Sequence, residues 1–112
     1  QRIRDAIAAD KLVISPLIVS ELVFVLSKLK VLEQSQDAIS LFQKFSTSAI
    51  TAEDVLAAKD LVLQLRCGRN MNDAIHLKHA ERVGCSSLLT FDRDFTRFRK
   101  QSNLKIETLV GA

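Results

Sequence analysis

The strongest constraint on the fold is a stretch of residues 70–95, where a helix, a short apolar strand and an acidic turn follow one another. The helix carries Asp73 and is predicted to end at Gly84, a residue common just after a helix. Residues 87–91 form a short apolar run, typical of a buried strand. The run leads directly into Asp92-Arg93-Asp94. Because α/β folds place ligand sites at the exits of their strands, this stretch indicates both a fold class and a site.

Asp73 is the unusual residue of that helix. Helical spacing puts it on one face with His76, Leu77, Ala80 and Val83, so it is predicted to point towards the core. A carboxylate in such a place is costly unless it is paired or bound to a cation. Pairing with the histidine or with an arginine is one alternative, and a metal ion is the other.

The rest of the chain alternates short apolar runs with helical patterns, which predicts parallel βαβ units. We therefore expect an α/β protein, a three-layer α/β/α fold with a short parallel central sheet, in a single domain over residues 1–112. The segment 16–30 is apolar over most of its circumference and is predicted to be largely buried. The predicted strands are 12–14, 88–91 and 104–109, and the predicted helices are 1–10, 16–30, 34–45, 52–65, the helix of Asp73 and a turn at 94–99.

Composition excludes several classes. The net charge of +3 is modest, although arginines flank both Asp73 and Asp92, a pattern that suits a phosphate backbone as well as a plain solvated surface. Neither Trp nor Tyr occurs, which argues against a base-stacking platform. The two cysteines form no CxxC motif, so a zinc site is not predicted and free thiols in a reducing cytosol are expected. No apolar run predicts a membrane span and no signal peptide is recognised.

Three blocks of the sequence resemble the PIN domain family, the metal-dependent ribonuclease fold shared by VapC toxins and related proteins. Residues 12–22 resemble the second strand and following helix, with an acid at Glu21. Residues 72–77 resemble the start of the helix that bears the third acid, here Asp73. Residues 88–95 resemble the exit of the fourth strand, with the fourth acid at Asp92. Family members begin with a central strand that carries the first acid, and we expect that strand to be missing from this chain.

The resemblance implies an Mg²⁺- or Mn²⁺-dependent endoribonuclease. It implies that Glu21, Asp73 and Asp92 are the catalytic acids and that these three, with Asp94 as an auxiliary, bind the metal. Clustered carboxylates repel one another unless a cation or a proton joins them, and Mg²⁺ prefers oxygen ligands. The resemblance also implies RNA as partner, a homodimer, a possible antitoxin and a cytoplasmic location.

Two alternatives stay open. The missing first acid is compatible with a catalytically inactive PIN-like module that binds RNA or a protein. His76 and His79 lie three residues apart on one helix and, with a carboxylate, could ligate zinc. No HExxH motif accompanies them, and a histidine at the edge of the core explains the first of them equally well. For Glu21 the alternative is a boundary residue that reaches water.

Overall fold

The structure, a computed structural model, describes residues 4–5, 12–90 and 92–109. It divides into two compact units, residues 1–50 and 51–112, which are described in turn. Of the predicted helix 1–10, only Arg4 and Asp5 are described, and both are helical; the rest of that helix lies outside the described residues.

The first unit contains two helices that pack against each other. Helix α1, Pro16–Lys28, begins as the Ser-Pro pair predicts: the Ser15 hydroxyl accepts a hydrogen bond from the Leu17 N–H, and proline occupies the first helical position. A short 3₁₀ turn, Glu33–Ser35, leads into helix α2, Gln36–Lys44. The α1–α2 contact follows from their apolar faces, and Ile39 is buried on α2.

Two expectations for this unit are wrong. Residues 12–14 form no strand; the Ile14 N–H instead donates to the Phe45 carbonyl oxygen at the end of α2. The apolar run is short and is cut off by the helix cap at Ser15. The predicted helix 16–30 is also not largely buried, since Phe24 within α1 is 64% exposed and Leu29, just after α1, is 65% exposed. An apolar circumference predicts burial only where neighbours exist to cover every side of it.

The second unit holds the sheet. Helix α3, Ala52–Leu65, is followed by a 3₁₀ turn, Gly68–Asn70, and by helix α4, Met71–Arg82. Strand β1, Ser87–Thr90, leads into a nine-residue 3₁₀ helix, Arg93–Gln101, and then into strand β2, Lys105–Thr108. The strands are parallel, with Leu88 opposite Ile106. The predicted α/β class with a short parallel sheet is confirmed, and within the described residues that sheet has two strands.

One hydrophobic core joins α3, α4, the sheet and the 3₁₀ helix Arg93–Gln101. The rings of Phe95 and Phe98 meet edge to face, with centroids 6.0 Å apart. Residues three apart lie one above the other on a 3₁₀ helix, so these two phenylalanines form its buried face and Asp94 and Arg97 form another. The core residues are Ala58, Leu61, Val62, Cys67, Ala74, Leu77, Ala80, Phe95, Phe98, Leu104 and Ile106.

Among the residues that the structure describes, no helix combines the length and the apolar content needed to cross a membrane. The single domain and the missing first strand stay predictions.

Candidate functional site

Asp73 lies in the first turn of α4, where the partial positive charge of the helix N-terminus favours an acid. Its carboxylate is half-buried, whereas His76 and Leu77 on the predicted common face are buried. The Asn70 side chain, at the end of the preceding 3₁₀ turn, donates from Nδ2 to Asp73 Oδ2 over 3.2 Å. The acid therefore sits at the edge of the core, with its carboxylate oriented by a neighbouring amide.

The Asn70 amide also contacts an arginine that is distant in sequence. Arg97 Nη1 donates to Asn70 Oδ1 over 2.8 Å, and Arg97 Nε donates to the Asp94 carbonyl oxygen over 3.1 Å. The Arg97 Nη2 atom is 3.8 Å from Asp94 Oδ1, an ion pair within one turn of the 3₁₀ helix. The fold thus joins two of the predicted site residues, Asp73 and Asp94, through one amide and one guanidinium.

Asp92 caps the 3₁₀ helix Arg93–Gln101. Its Oδ1 accepts from the Asp94 N–H over 2.8 Å, and its own N–H donates to the Thr90 hydroxyl at the end of β1 over 3.0 Å. The side chain is exposed at the strand exit. Asp92 therefore has a structural role in forming this turn. That role leaves the second carboxylate oxygen without a protein partner among the described residues, so a cap and a ligand role are compatible.

Glu21 lies on α1 in the first unit and is exposed. Its place on the helix agrees with the predicted boundary position. Only the resemblance marks Glu21 as a site residue, since its spacing along α1 by itself favours a surface position.

The side chains available as ligands determine whether the site suits the divalent cation that the resemblance implies. Across residues 4–5, 12–90 and 92–109, no group of three or more His, Cys, Asp or Glu side chains is arranged to hold a metal ion. Mg²⁺ commonly binds through one or two carboxylates and keeps several waters, so it does not require such a group. Asp73, Asp92 and Asp94 supply only oxygen, which fits Mg²⁺ or Mn²⁺ in the chemistry of the donors.

The zinc alternative gains nothing from the fold. His76 is 6% and His79 1% exposed, so both belong to the packed interior of the second unit. In the part of the chain that the structure describes, neither joins a group of three side chains that could hold a metal. A buried histidine on the core face of a helix is the simpler account of both.

Asp54 marks a second acid-arginine contact that sequence reasoning missed. Asp54 is part of a capping box at the start of α3: the Asp54 N–H donates to the Thr51 hydroxyl and the Asp54 carboxylate accepts from the Thr51 N–H. In addition, Arg82 binds the carboxylate with two hydrogen bonds, 2.8 and 3.1 Å long. Burial alone would raise the pKa of Asp54, but the hydrogen bonds from Arg82 and Thr51 and the Arg82 charge outweigh it and lower that pKa.

Sequence reasoning also missed Asn70 and Arg97. The interval between them is 27 residues, and neither forms a motif with the acids. In the sequence, Arg97 is only one of several basic residues that follow Asp92. The available signal was the 3₁₀ register, which puts Asp94 and Arg97 on one face, but the sequence had predicted only a short helical turn there.

The comparison with protein families decides the classification. The family model described as PIN domain matches residues 1–101, a range that includes all four predicted acids. The chain belongs to the PIN domain family. This confirms the resemblance, and PIN domains are generally metal-dependent nucleases. No curated protein and no solved structure gives a significant match to this PIN domain.

Proposed function

We propose that this PIN domain is an Mg²⁺- or Mn²⁺-dependent endoribonuclease that hydrolyses RNA phosphodiester bonds. The observation that carries the proposal is the placement of Asp73. It stands in the first turn of α4, oriented by Asn70, and is linked through Arg97 to Asp94 at the exit of β1. A hydrogen-bonded connection between acids of two separate elements, one of them just after the exit of β1, supports a ligand site of the kind that α/β folds place at strand exits.

Within the second unit, Asp73, Asp92 and Asp94 are the proposed ligands. Since no three of the described side chains are arranged to hold a metal ion, one or two of these carboxylates would bind it and water would complete its coordination. Glu21 is included as the remaining catalytic and metal-binding acid on the strength of the resemblance alone. A divalent ion held there supplies a bound water of lowered pKa and stabilises negative charge on the phosphate. The task of the protein residues is to orient the carboxylates and to bring the RNA backbone to them.

Cations on the 3₁₀ helix Arg93–Gln101 support RNA as the partner. The side chains of Arg93 and Lys100 are exposed and have no hydrogen-bond or ion-pair partner among the described residues. Arg99 is committed to the protein, because its Nη2 donates to the Ile106 carbonyl oxygen of β2. The first two are therefore the cations available for phosphate oxygens, and cleavage is expected to weaken as salt increases.

The finer biological role is also part of the proposal. We place the protein in the cytoplasm as a homodimer and as the toxin of a toxin–antitoxin pair. Exposed apolar side chains of α1 and its C-terminal end, such as Phe24 and Leu29, offer surface for a second copy or for an antitoxin. The alternative, an inactive PIN-like module that binds RNA or a protein, is decided by the same experiment that tests the nuclease.

The test is RNA cleavage by the whole protein with Mg²⁺ or Mn²⁺, alongside an EDTA control and the Asp73→Asn variant. Asparagine removes the charge of a ligand while nearly keeping its shape. We expect cleavage by the wild type to require metal. In Asp73→Asn the cleavage rate should fall by roughly a hundredfold or more, since loss of a residue that only supports a metal ligand already lowers activity or metal affinity by about 10–100-fold.

The matched control is Asp60→Asn, the same chemical change at an exposed acid on α3. It should cleave like the wild type. Equal cleavage by the Asp73→Asn protein would remove Asp73 from the site. No cleavage by the wild type over a broad set of RNAs would favour the inactive binding module, and metal-independent cleavage would contradict the proposed metal-dependent mechanism.

A further inference from the structure

The Asn70 side chain occupies a position that requires a group able both to accept and to donate a hydrogen bond. A guanidinium can only donate hydrogen bonds, and an ionised carboxylate can only accept them. Asn70 accepts from Arg97 Nη1 on its oxygen and donates to Asp73 Oδ2 from its nitrogen. Arg97 therefore determines which way the amide faces, and the amide orientation determines which group meets the Asp73 carboxylate.

We propose that Arg97 is a positioning residue, which acts through Asn70 to hold the Asp73 carboxylate in the orientation that binds the divalent cation. The proposal rests on the proposed function, because it assumes that Asp73 is a metal ligand. It assigns Arg97 a role different from that of the other cations on the same helix. Those cations meet the solvent or the backbone, whereas Arg97 reaches the acid through an intervening side chain.

Both ends of this connection are fixed by packed structure. Arg97 lies on the 3₁₀ helix that is anchored through buried Phe95 and Phe98, and its Nε is held by the Asp94 carbonyl oxygen. At the other end, the Asn70 N–H donates over 2.8 Å to the carbonyl oxygen of Cys67, a buried residue. Two rigid elements therefore meet at the amide, and a fixed amide is what orients a carboxylate effectively.

The sign of one effect separates positioning from simple charge. A guanidinium near a metal site repels a cation, so removing its charge alone should tighten metal binding. Removing a group that orients a ligand should weaken metal binding, typically by about 10–100-fold. The proposal predicts weaker binding after loss of Arg97, the opposite of the charge effect.

The experiment measures Mn²⁺ affinity of the whole protein from the electron paramagnetic resonance signal of free Mn²⁺, with no RNA present. The variants are Arg97→Met, Asn70→Ala and the double substitution. We expect each single variant to bind Mn²⁺ about tenfold more weakly. The double variant should bind no more weakly than Asn70→Ala, because the effect of Arg97 on Asp73 runs through the amide, and loss of its ion pair with Asp94 frees that carboxylate rather than weakening it as a ligand.

The matched control is Arg93→Met, which removes the same charge from the same helix at an exposed position outside the connection. Its Mn²⁺ affinity should be unchanged or slightly tighter. Thermal unfolding of every variant shows whether each is folded at the temperature of the titration. Arg97→Lys, which keeps the charge and one donor, should recover part of the affinity lost in Arg97→Met.

Three results would overturn the proposal. Arg97→Met could bind Mn²⁺ as tightly as the wild type or more tightly, as the Arg93 control does. The losses of the two single variants could add in the double variant, so that Arg97 acts independently of the amide. Asp73→Asn could bind Mn²⁺ like the wild type, and that result would remove the proposed metal ligand itself. The first two outcomes reject the positioning role and leave the proposed function intact.

Discussion

Two helices of the second unit carry an aspartate at the same position and use it in opposite ways. Asp54 is the third residue of α3, and Asp73 is the third residue of α4. Asp54 closes a capping box with Thr51 and accepts two hydrogen bonds directly from Arg82. At Asp73 the cap position is occupied by Asn70. Its side-chain amide accepts a hydrogen bond from Arg97 and donates another to the Asp73 carboxylate.

The two carboxylates differ in how deeply they are buried and in how far solvent can reach them. Asp54 is 2% exposed, and both of its carboxylate oxygens accept bonds from the protein. Asp73 is half-buried at the edge of the core and is met by a neutral donor on Oδ2. A buried carboxylate bound directly by a guanidinium serves the fold, because its charge is balanced inside the protein. A partly exposed carboxylate oriented by an amide suits binding of an external cation.

Of the variants that test the structural role of Asp54, Asp54→Ala should cause the largest loss of stability. The change removes the carboxylate half of the α3 capping box and the carboxylate that Arg82 binds. We expect the free energy of unfolding to fall by roughly 2–3 kcal/mol, from the combined loss of the bond to the Thr51 N–H and of the charge-assisted hydrogen bonds from Arg82. Urea denaturation measures it.

The control for that measurement is Glu53→Ala, which removes the exposed neighbouring acid of the same first turn. It should lower the free energy of unfolding by less than about 1 kcal/mol. Equal losses for the two variants would show that helix-end charge, and not the contact of Asp54 with Thr51 and Arg82, stabilises this part of the fold.

A smaller effect should separate the two cap positions. Thr51→Ala removes a hydroxyl that accepts the Asp54 N–H, and should lower the free energy of unfolding by about 1 kcal/mol. Asn70 accepts no capping hydrogen bond from the α4 backbone and its two side-chain bonds are partly exposed, so Asn70→Ala should cost less, about 0.5 kcal/mol. Chemical denaturation of both variants tests this, and a larger loss for Asn70→Ala would reverse the comparison.

The smallest effect is the acid dependence of stability that Asp54 contributes. Its pKa is lowered in the folded protein, so the unfolded chain binds more protons in acid. The contribution of Asp54 is present above its ordinary pKa of 3.8 and is lost as the pH falls towards the lower folded value. The free energy of unfolding should therefore decrease below about pH 4.

Asp54→Asn provides the reference for that titration, because an amide does not ionise in this range. The decline of its unfolding free energy between about pH 4 and pH 2 should be shallower than that of the wild type. Parallel curves would assign the acid sensitivity to other carboxylates.

Local sequence rules predicted much of the second unit. The helix over residues 52–65 was predicted with the bounds that the structure shows, because Thr51 and Asp54 form a capping box that depends on neighbouring residues only. Strands β1 and β2 were each predicted to within one or two residues at their ends. The same rules failed at residues 12–14, where a strand requires a partner strand that local sequence does not specify.

By itself, the sequence determined the positions of the helices, caps and acids, since hydrogen bonds between near neighbours and apolar spacing are encoded locally. It also determined the family, through the order and spacing of the three acidic blocks. Tertiary structure alone decided which acid meets which arginine. Asp54 and Arg82 are 28 residues apart and Asn70 and Arg97 are 27 apart, so each contact exists only after the helices and the sheet have packed. A side chain's partner is set by the surfaces that meet, and those are fixed by the whole core.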